Sequence, residues 1–389
     1  MFKFNVLFLS AILVNISLCA YEAVVIEPII DVVKKNFSTP SPEKLYYALP
    51  NLWHTKKEEC PRLHQLLYNH RVFVLEEDQK QAKISIPHLI VKNKFNKKDH
   101  LKGWILKSEI RKIDELNQSY IPPFLRKDTT ASSVVTLIFP WQNPHDKKLY
   151  SAGTRFVRSY QDTATFIGAY WFDFENNRKT HILLPVNQTL VSTERSFSEK
   201  QRLMIQLINH WVDAYGIIPY VWGGASIGNQ ASNSFYLTAN PMLGKNYKGW
   251  LWPHQSYPYA GLDCSGLILL AAQIVELPYF CKNSSTIFKT LRPINKDEIV
   301  EDGDIIWMPG HVMIVSDVIN NELIEAQGYW PSVGRVRRQK LFERFKNINA
   351  YDDFALAFFN KKPLERIHAD RSIQTFTDYA LLKFSSISL

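Results

Sequence analysis

Cys264 and His311 are the two residues of this sequence whose types and spacing best fit covalent chemistry. Cys264 stands in Gly261-Leu262-Asp263-Cys264-Ser265-Gly266, just before residues 267–275, which are apolar except for Gln273. That stretch reads as a helix buried on nearly all sides, which sets Cys264 at its N-terminus. Unpaired N–H groups and the positive end of the helix dipole favour thiolate over thiol there. The same N–H groups can stabilise a developing oxyanion. His311 follows 47 residues later in Gly310-His311-Val312-Met313-Ile314-Val315, which reads as a strand opening with histidine. A strand-borne imidazole brought by folding to a helix-terminal thiol is an arrangement of nucleophile and base. His311 would take the thiol proton and later donate one to a leaving amine, with a third group fixing its tautomer.

The other candidate groups recede on inspection. Of 4 cysteines, Cys19 falls in a leader described below, leaving Cys60, Cys264 and Cys281. An odd number in an oxidising compartment leaves at least one thiol unpaired. Cys60 and Cys281 read as small buried hydrophobes, with a disulfide between them as the alternative. His54, His88, His100, His145 and His181 lie at no metal-ligand spacing, so neither a metal site nor a cofactor is expected.

The elements that must position the pair can be read around it. A helix opens near Ser198, where Ser198 and Gln201 have capping-box spacing, and Leu203, Leu207, Trp211 and Tyr215 recur along one face. It stops at Gly216 and Pro219, and Tyr220-Val221-Trp222-Gly223-Gly224 follows. An insertion between Gly224 and Gly261 holds Trp250, Trp252, His254, Tyr257 and Tyr259. It reads either as a wall beside the cleft or as a surface loop anchored by its own aromatics. Beyond the helix after Cys264, residues 301–307 read as a turn entering a strand. His311 opens a second strand, and a turn near Asn320-Asn321 leads to a third over 322–326.

The remainder of the chain divides by composition. Residues 21–69 contain Pro40, Pro42, Pro50 and Pro61 and short apolar stretches, and read as short helices and turns. From Arg71, β-rich runs at 71–75, 82–86 and 103–106 suggest a small barrel over 70–118. Tyr120-Ile121-Pro122-Pro123-Phe124 reads as a stiff linker, and a second β-rich unit covers 128–195.

Hydrophobic content of 46% with 21% charged residues fits a globular protein of two or three domains. The first residues carry an export address. Lys3 precedes an apolar stretch, and Ser17 and Cys19 are small residues three and one before a cut that would remove 1–19. No later segment is long and apolar enough to span a bilayer, so no stable membrane insertion is expected. The formal charge is +9, and losing residues 1–20 removes only Lys3, leaving +8. In an exported protein that basic balance suits an anionic polymer such as cell wall, and no nucleic-acid motif is present.

Taken together, Tyr220-Val221-Trp222-Gly223-Gly224, Leu262-Asp263-Cys264-Ser265-Gly266-Leu267 and Gly303-Asp304-Ile305-Ile306-Trp307 followed by Gly310-His311-Val312 resemble the NlpC/P60 cysteine peptidases, in that family's order. Pro140-Trp141-Gln142-Asn143-Pro144 and 150–156 look like the second barrel of a subgroup with two bacterial SH3-like domains. The resemblance implies an α+β fold: a papain-like catalytic domain over 198–362, two SH3-like barrels and a helical segment before it, and a tail over 363–389. It implies hydrolysis of peptidoglycan stem peptides or muropeptides, typically between D-γ-glutamate and the diamino acid, with Cys264 as nucleophile and His311 as base. Tyr220, Asp263 and Ser265 match substrate-binding positions, Tyr220 and Asp263 holding a free L-alanine amine; Asp263 reads equally as a helix N-cap. The family's third catalytic residue, usually histidine, aligns with Glu325, with Gln327 behind it. A carboxylate can orient an imidazole as well. A non-catalytic wall-binding protein and an amidase or transpeptidase are the alternatives, and the oligomeric state is open.

Overall fold

The computed structural model describes residues 20–34, 62–92, 97–124, 133–215, 217–228, 260–328 and 334–387. The expected leader over 1–19, Cys60 and Trp250, Trp252, His254, Tyr257 and Tyr259 of the insertion lie outside the described residues.

Strands β1 (Tyr21–Val25), β2 (Ile29–Val33), β3 (Arg62–Leu67), β4 (Arg71–Glu77), β5 (Gln81–Lys92), β6 (Lys98–Leu106) and β7 (Ile110–Lys112) form one sheet in the order β3-β2-β6-β5-β4-β1-β7. This corrects the expectation of a helical segment over 21–69. Where described, its two ends are strands, and the first β unit begins at Tyr21 rather than at residue 70. Val24, Val25, Ile29, Ile30, Val32 and Val33 are β-branched and suit a pleated, buried surface. Their pairing partners are distant, Tyr21 opposite Val74 and Ile29 opposite Leu67, so no local hairpin announces them.

The second unit comprises β8 (Val134–Leu137), β9 (Trp141–Gln142), β10 (Leu149–Tyr150), β11 (Arg155–Arg158), β12 (Phe166–Asp173), β13 (Arg178–Pro185) and β14 (Thr189–Val191). Five strands form a sheet ordered β13-β12-β11-β8-β14, and β9 pairs with β10. Tyr68 of the first unit is buried in its core, where its hydroxyl donates to the Phe172 carbonyl at 2.6 Å.

Helix α1 (Phe197–Tyr215) opens two residues earlier than the Ser198–Gln201 spacing predicts. Ser196 and Glu199 cap it reciprocally: the Ser196 N–H donates to Glu199 at 2.7 Å, and the Glu199 N–H donates to the Ser196 hydroxyl at 3.3 Å. After it come β15 (Ala225–Ser226), β16 (Gly261–Leu262), α2 (Cys264–Ile274), α3 (Ser284–Thr290), β17 (Ile305–Met308), β18 (His311–Asp317), β19 (Glu322–Ala326), β20 (Val336–Lys340), α4 (Leu341–Arg344), α5 (Tyr351–Phe359), β21 (Leu364–Ile367), β22 (Ile373–Phe376) and β23 (Ala380–Leu382).

A five-stranded sheet, β20-β19-β18-β17-β23, carries the candidate site. Strands β17 and β18 and the start of β19 are apolar on both faces and alternate between two cores. Ile305, Trp307, Val312, Ile314 and Ile324 join the core containing α1 and α2, while Ile306, Met308, Met313, Val315 and Leu323 join that of α4 and α5. The residues after 362 are not a tail. Ala380, Leu381 and Leu382 pair with Trp307, Ile306 and Ile305 and complete the sheet; their partner lies some seventy residues earlier, beyond any local pattern. The first sheet and the helices α1 and α2 share a single core. Among the described residues, no helix is long and apolar enough to cross a membrane.

Candidate active site

Every residue of α2 is buried, as its apolar sequence requires, and Asp263 is its N-cap in extended conformation. The Asp263 Oδ1 accepts from the Gly266 N–H at 2.6 Å and from the Ser265 hydroxyl at 2.8 Å. The helix start is pressed against the turn after Tyr220. A Cβ on Gly266 would lie 1.9 Å from the Gly224 carbonyl oxygen, so only glycine fits. Gly223 has φ +71, and a Cβ there would meet Arg62 of the first sheet. The Gly223-Gly224 turn thus allows three chain segments to converge on the residue before Cys264.

Cys264 occupies the first position of α2 and carries a free, buried thiol. The main-chain N–H of Val312, the residue after His311, faces the sulfur and favours its ionised form. Two influences meet at this thiol: the helix end favours the thiolate, and burial opposes it. Burial and then the Asp263 charge push it up to about 12, against the opposing pull of the Val312 N–H, Lys282 and the Ser265 N–H.

His311 opens β18 as expected. Its Nε2 lies 2.6 Å from Glu325 Oε2, joining two of the residues aligned with catalytic positions. With Nε2 engaged, Nδ1 is the ring nitrogen left for the thiol. Burial lowers the imidazole below its ordinary value, with Arg366 and Arg344 adding to the effect and Glu325 opposing it. The resting histidine is a neutral base.

Glu325 is fully buried on β19. Its Oε2 also accepts from Arg344 Nη2 at 2.8 Å, and its Oε1 accepts from Gln327 Nε2 at 2.5 Å and Gln339 Nε2 at 2.7 Å. Arg344 Nε approaches Oε1 to 2.7 Å as an ion-pair contact, although its N–H is not aimed for a hydrogen bond. Burial alone would raise this carboxyl, but Arg344 and His311 outweigh it and hold it well below the carboxylate range. The group facing His311 is therefore ionised. Gln327, the runner-up, buttresses Glu325 instead of touching His311 through any recorded bond.

The three matched substrate-binding positions lie close along the chain fold. Tyr220 is buried, its main chain bridging to Leu262 and its ring beside Gly328, just past the end of β19. Asp263 and Ser265 are bonded to each other, and the second Asp263 oxygen, Oδ2, is taken by Lys282 Nζ at 2.8 Å. The N-cap role of Asp263 is thus present in the structure.

Sequence reasoning missed Lys282, Gln339, Arg344 and Arg366. Arg366, on β21, exerts its charge on Glu325, His311 and Cys264 and is itself lowered to about 10, chiefly by burial and then by Arg344. None belongs to a motif. Cys281 is a free buried thiol, and its pairing with Cys60 falls outside the described residues. Among the described residues, no group of three His, Cys, Asp or Glu could hold a metal.

The sequence matches no family model and no curated protein. Among solved structures, the chain is similar to an NlpC/P60 family protein from Bacillus cereus, with TM-score 0.51 and 16% identity, covering 82% of this chain and 94% of that one. NlpC1 and NlpC2 from Trichomonas vaginalis are also similar, at TM-scores of 0.30 and 0.27 and identities of 12% and 13%. They cover 86% and 84% of this chain and 93% and 94% of their own, a shape likeness too loose to carry an argument. The first likeness shows that this chain has the fold of an NlpC/P60 protein.

Proposed function

We propose that this protein is an exported cysteine peptidase of the NlpC/P60 type that hydrolyses peptidoglycan stem peptides at the D-γ-glutamyl–diamino acid bond. The observation that carries the reading is the His311 Nε2–Glu325 Oε2 contact of 2.6 Å, on a strand whose next residue, Val312, faces the buried Cys264 thiol. The two N-terminal β units serve as SH3-like modules that frame the site and meet the wall polymer, which the basic charge favours.

In this mechanism the resting pair is thiol and imidazole, and the proton passes from Sγ to Nδ1 as sulfur attacks the amide carbonyl. Glu325, kept ionised by Arg344, holds the ring and stabilises the imidazolium that forms. The Gly266 N–H is committed to the cap, and the Ser265 N–H faces the sulfur. The Cys264 N–H is then the helix-end donor for the oxyanion. Imidazolium protonates the leaving amine, and water releases the thioester. Mass spectrometry of defined stem peptides incubated with wild type and Cys264→Ala tests this. Wild type is expected to break the γ-glutamyl bond and the variant to leave it intact while folded; equal hydrolysis by both overturns the assignment.

A further inference from the structure

Lys282 lies outside the catalytic triad, yet its ammonium is built into the site. Its side chain is 4% exposed, and Nζ lies 2.8 Å from Oδ2 of Asp263, the residue immediately before the nucleophile. The main chain that carries it is laid on the first sheet. The Ile90 N–H of β5 donates to the Phe280 carbonyl at 2.8 Å, and the Lys282 N–H donates to the Ile90 carbonyl at 3.2 Å. Two residues on, the Lys92 N–H donates to the Thr286 hydroxyl at 3.0 Å. The N-terminal β unit thus sets the register of the strand that delivers Lys282. His64, on β3 of the same unit, is held neutral by burial and by the Lys282 charge, so it adds no second cation.

The consequence lies in what Asp263 has left to offer. Its Oδ1 is committed to Gly266 and Ser265, and its Oδ2 to Lys282. A substrate ammonium arriving at this carboxylate would have to displace a buried cation or sit beside it, and like charges in a dehydrated site repel strongly. Two other carboxylates near the site, Glu325 and Asp31, are fully buried and ion-paired to Arg344 and Arg62. Residues 217–262, which contain Tyr220 and the whole insertion, include no Asp or Glu, so that stretch supplies no substitute anion.

We propose that Lys282 takes the place of a substrate ammonium, so that this enzyme acts on stem peptides whose N-terminus is acylated, as when still joined to the glycan by an amide. This rests on the peptidase reading above and narrows its substrate class, against the free-amine preference that the family resemblance implies. Lys282 is then a specificity-determining residue, and the first β unit governs specificity through it.

The test compares L-alanyl-γ-D-glutamyl-diaminopimelyl-D-alanine with its N-acetylated form, using kcat/KM from product mass spectrometry on the full chain. Wild type is expected to cleave the acetylated peptide at least as fast as the free one. Lys282→Met is expected to move that ratio about tenfold toward the free amine, and Lys282→Arg to restore it. A wild-type preference for the free amine of tenfold or more overturns the proposal, as does an unchanged ratio in a folded Lys282→Met. If that variant does not fold, the wild-type ratio decides alone. If wild type cleaves neither peptide, the peptidase reading itself fails, and this inference with it.

Discussion

Arg344 and Glu325 form an ion pair in which neither side chain is exposed to solvent, and the carboxylate of that pair is also the one that bonds His311. Arg344 further donates from Nη1 to the Ile367 carbonyl at 2.9 Å, tying α4 to β21. Removing one partner of such a pair leaves a dehydrated charge without compensation. Arg344→Met should therefore cost about 3–5 kcal/mol of stability, read as a drop in the denaturant midpoint. The Arg344→Met, Glu325→Gln double variant should regain much of that loss, because no unpaired charge remains. A double variant less stable than Arg344→Met would show that the pair is not coupled.

The pH dependence follows from the same group. Catalysis needs neutral His311, and burial places its pKa below 6.5, so the acid limb of kcat/KM should lie below pH 6.5. Glu325 opposes that depression, so in Glu325→Gln the limb should move further to lower pH, while kcat falls about 10- to 100-fold. Glu325 itself titrates lower in the folded chain than its ordinary 4.5. The stability it supplies is present above that pH and is lost as the pH falls below it, so Glu325→Gln should flatten the acid side of the stability profile. An acid limb that moves upward in the variant would contradict the assigned contact.

Alkylation reports the resting state of the nucleophile. With its thiol pushed up to about 12, Cys264 should react slowly with iodoacetamide at pH 7, and its rate should climb roughly tenfold per pH unit through pH 10. Peptide mapping separates it from buried Cys281. A rate already at its plateau by pH 8 would mean a preformed thiolate–imidazolium pair.

The parts of this molecule that were legible in the sequence are those whose signal is local. The run after Cys264 is too uniformly apolar to be anything but an interior element, and the three strands over 305–326 alternate as the two-sided sheet requires. The N-terminal strands escaped because Tyr21 answers Val74 and prolines crowd the residues between them. The same holds for β23, whose three residues carry no signal apart from their distant partner. Ser198 and Gln201 show the correct spacing, but Ser196 and Glu199 have it too, with a carboxylate to close the box. Lys282 and Arg344 were invisible for another reason: a single cation in sequence looks like any solvated side chain until its partner's burial is known.

The bonds that lay Phe280 and Lys282 along Ile90 bear on how such a protein can evolve. Modules joined only by linkers can be recombined freely, since each brings a finished surface. Here a break after residue 195 would strip β5 from the strand that delivers Lys282 and leave a face of the α1–α2 core uncovered. A new targeting module could be added outside this chain, but the first β unit could not be exchanged for another without redrawing the nucleophile's surroundings. The first β unit and the surroundings of Cys264 must therefore diverge together.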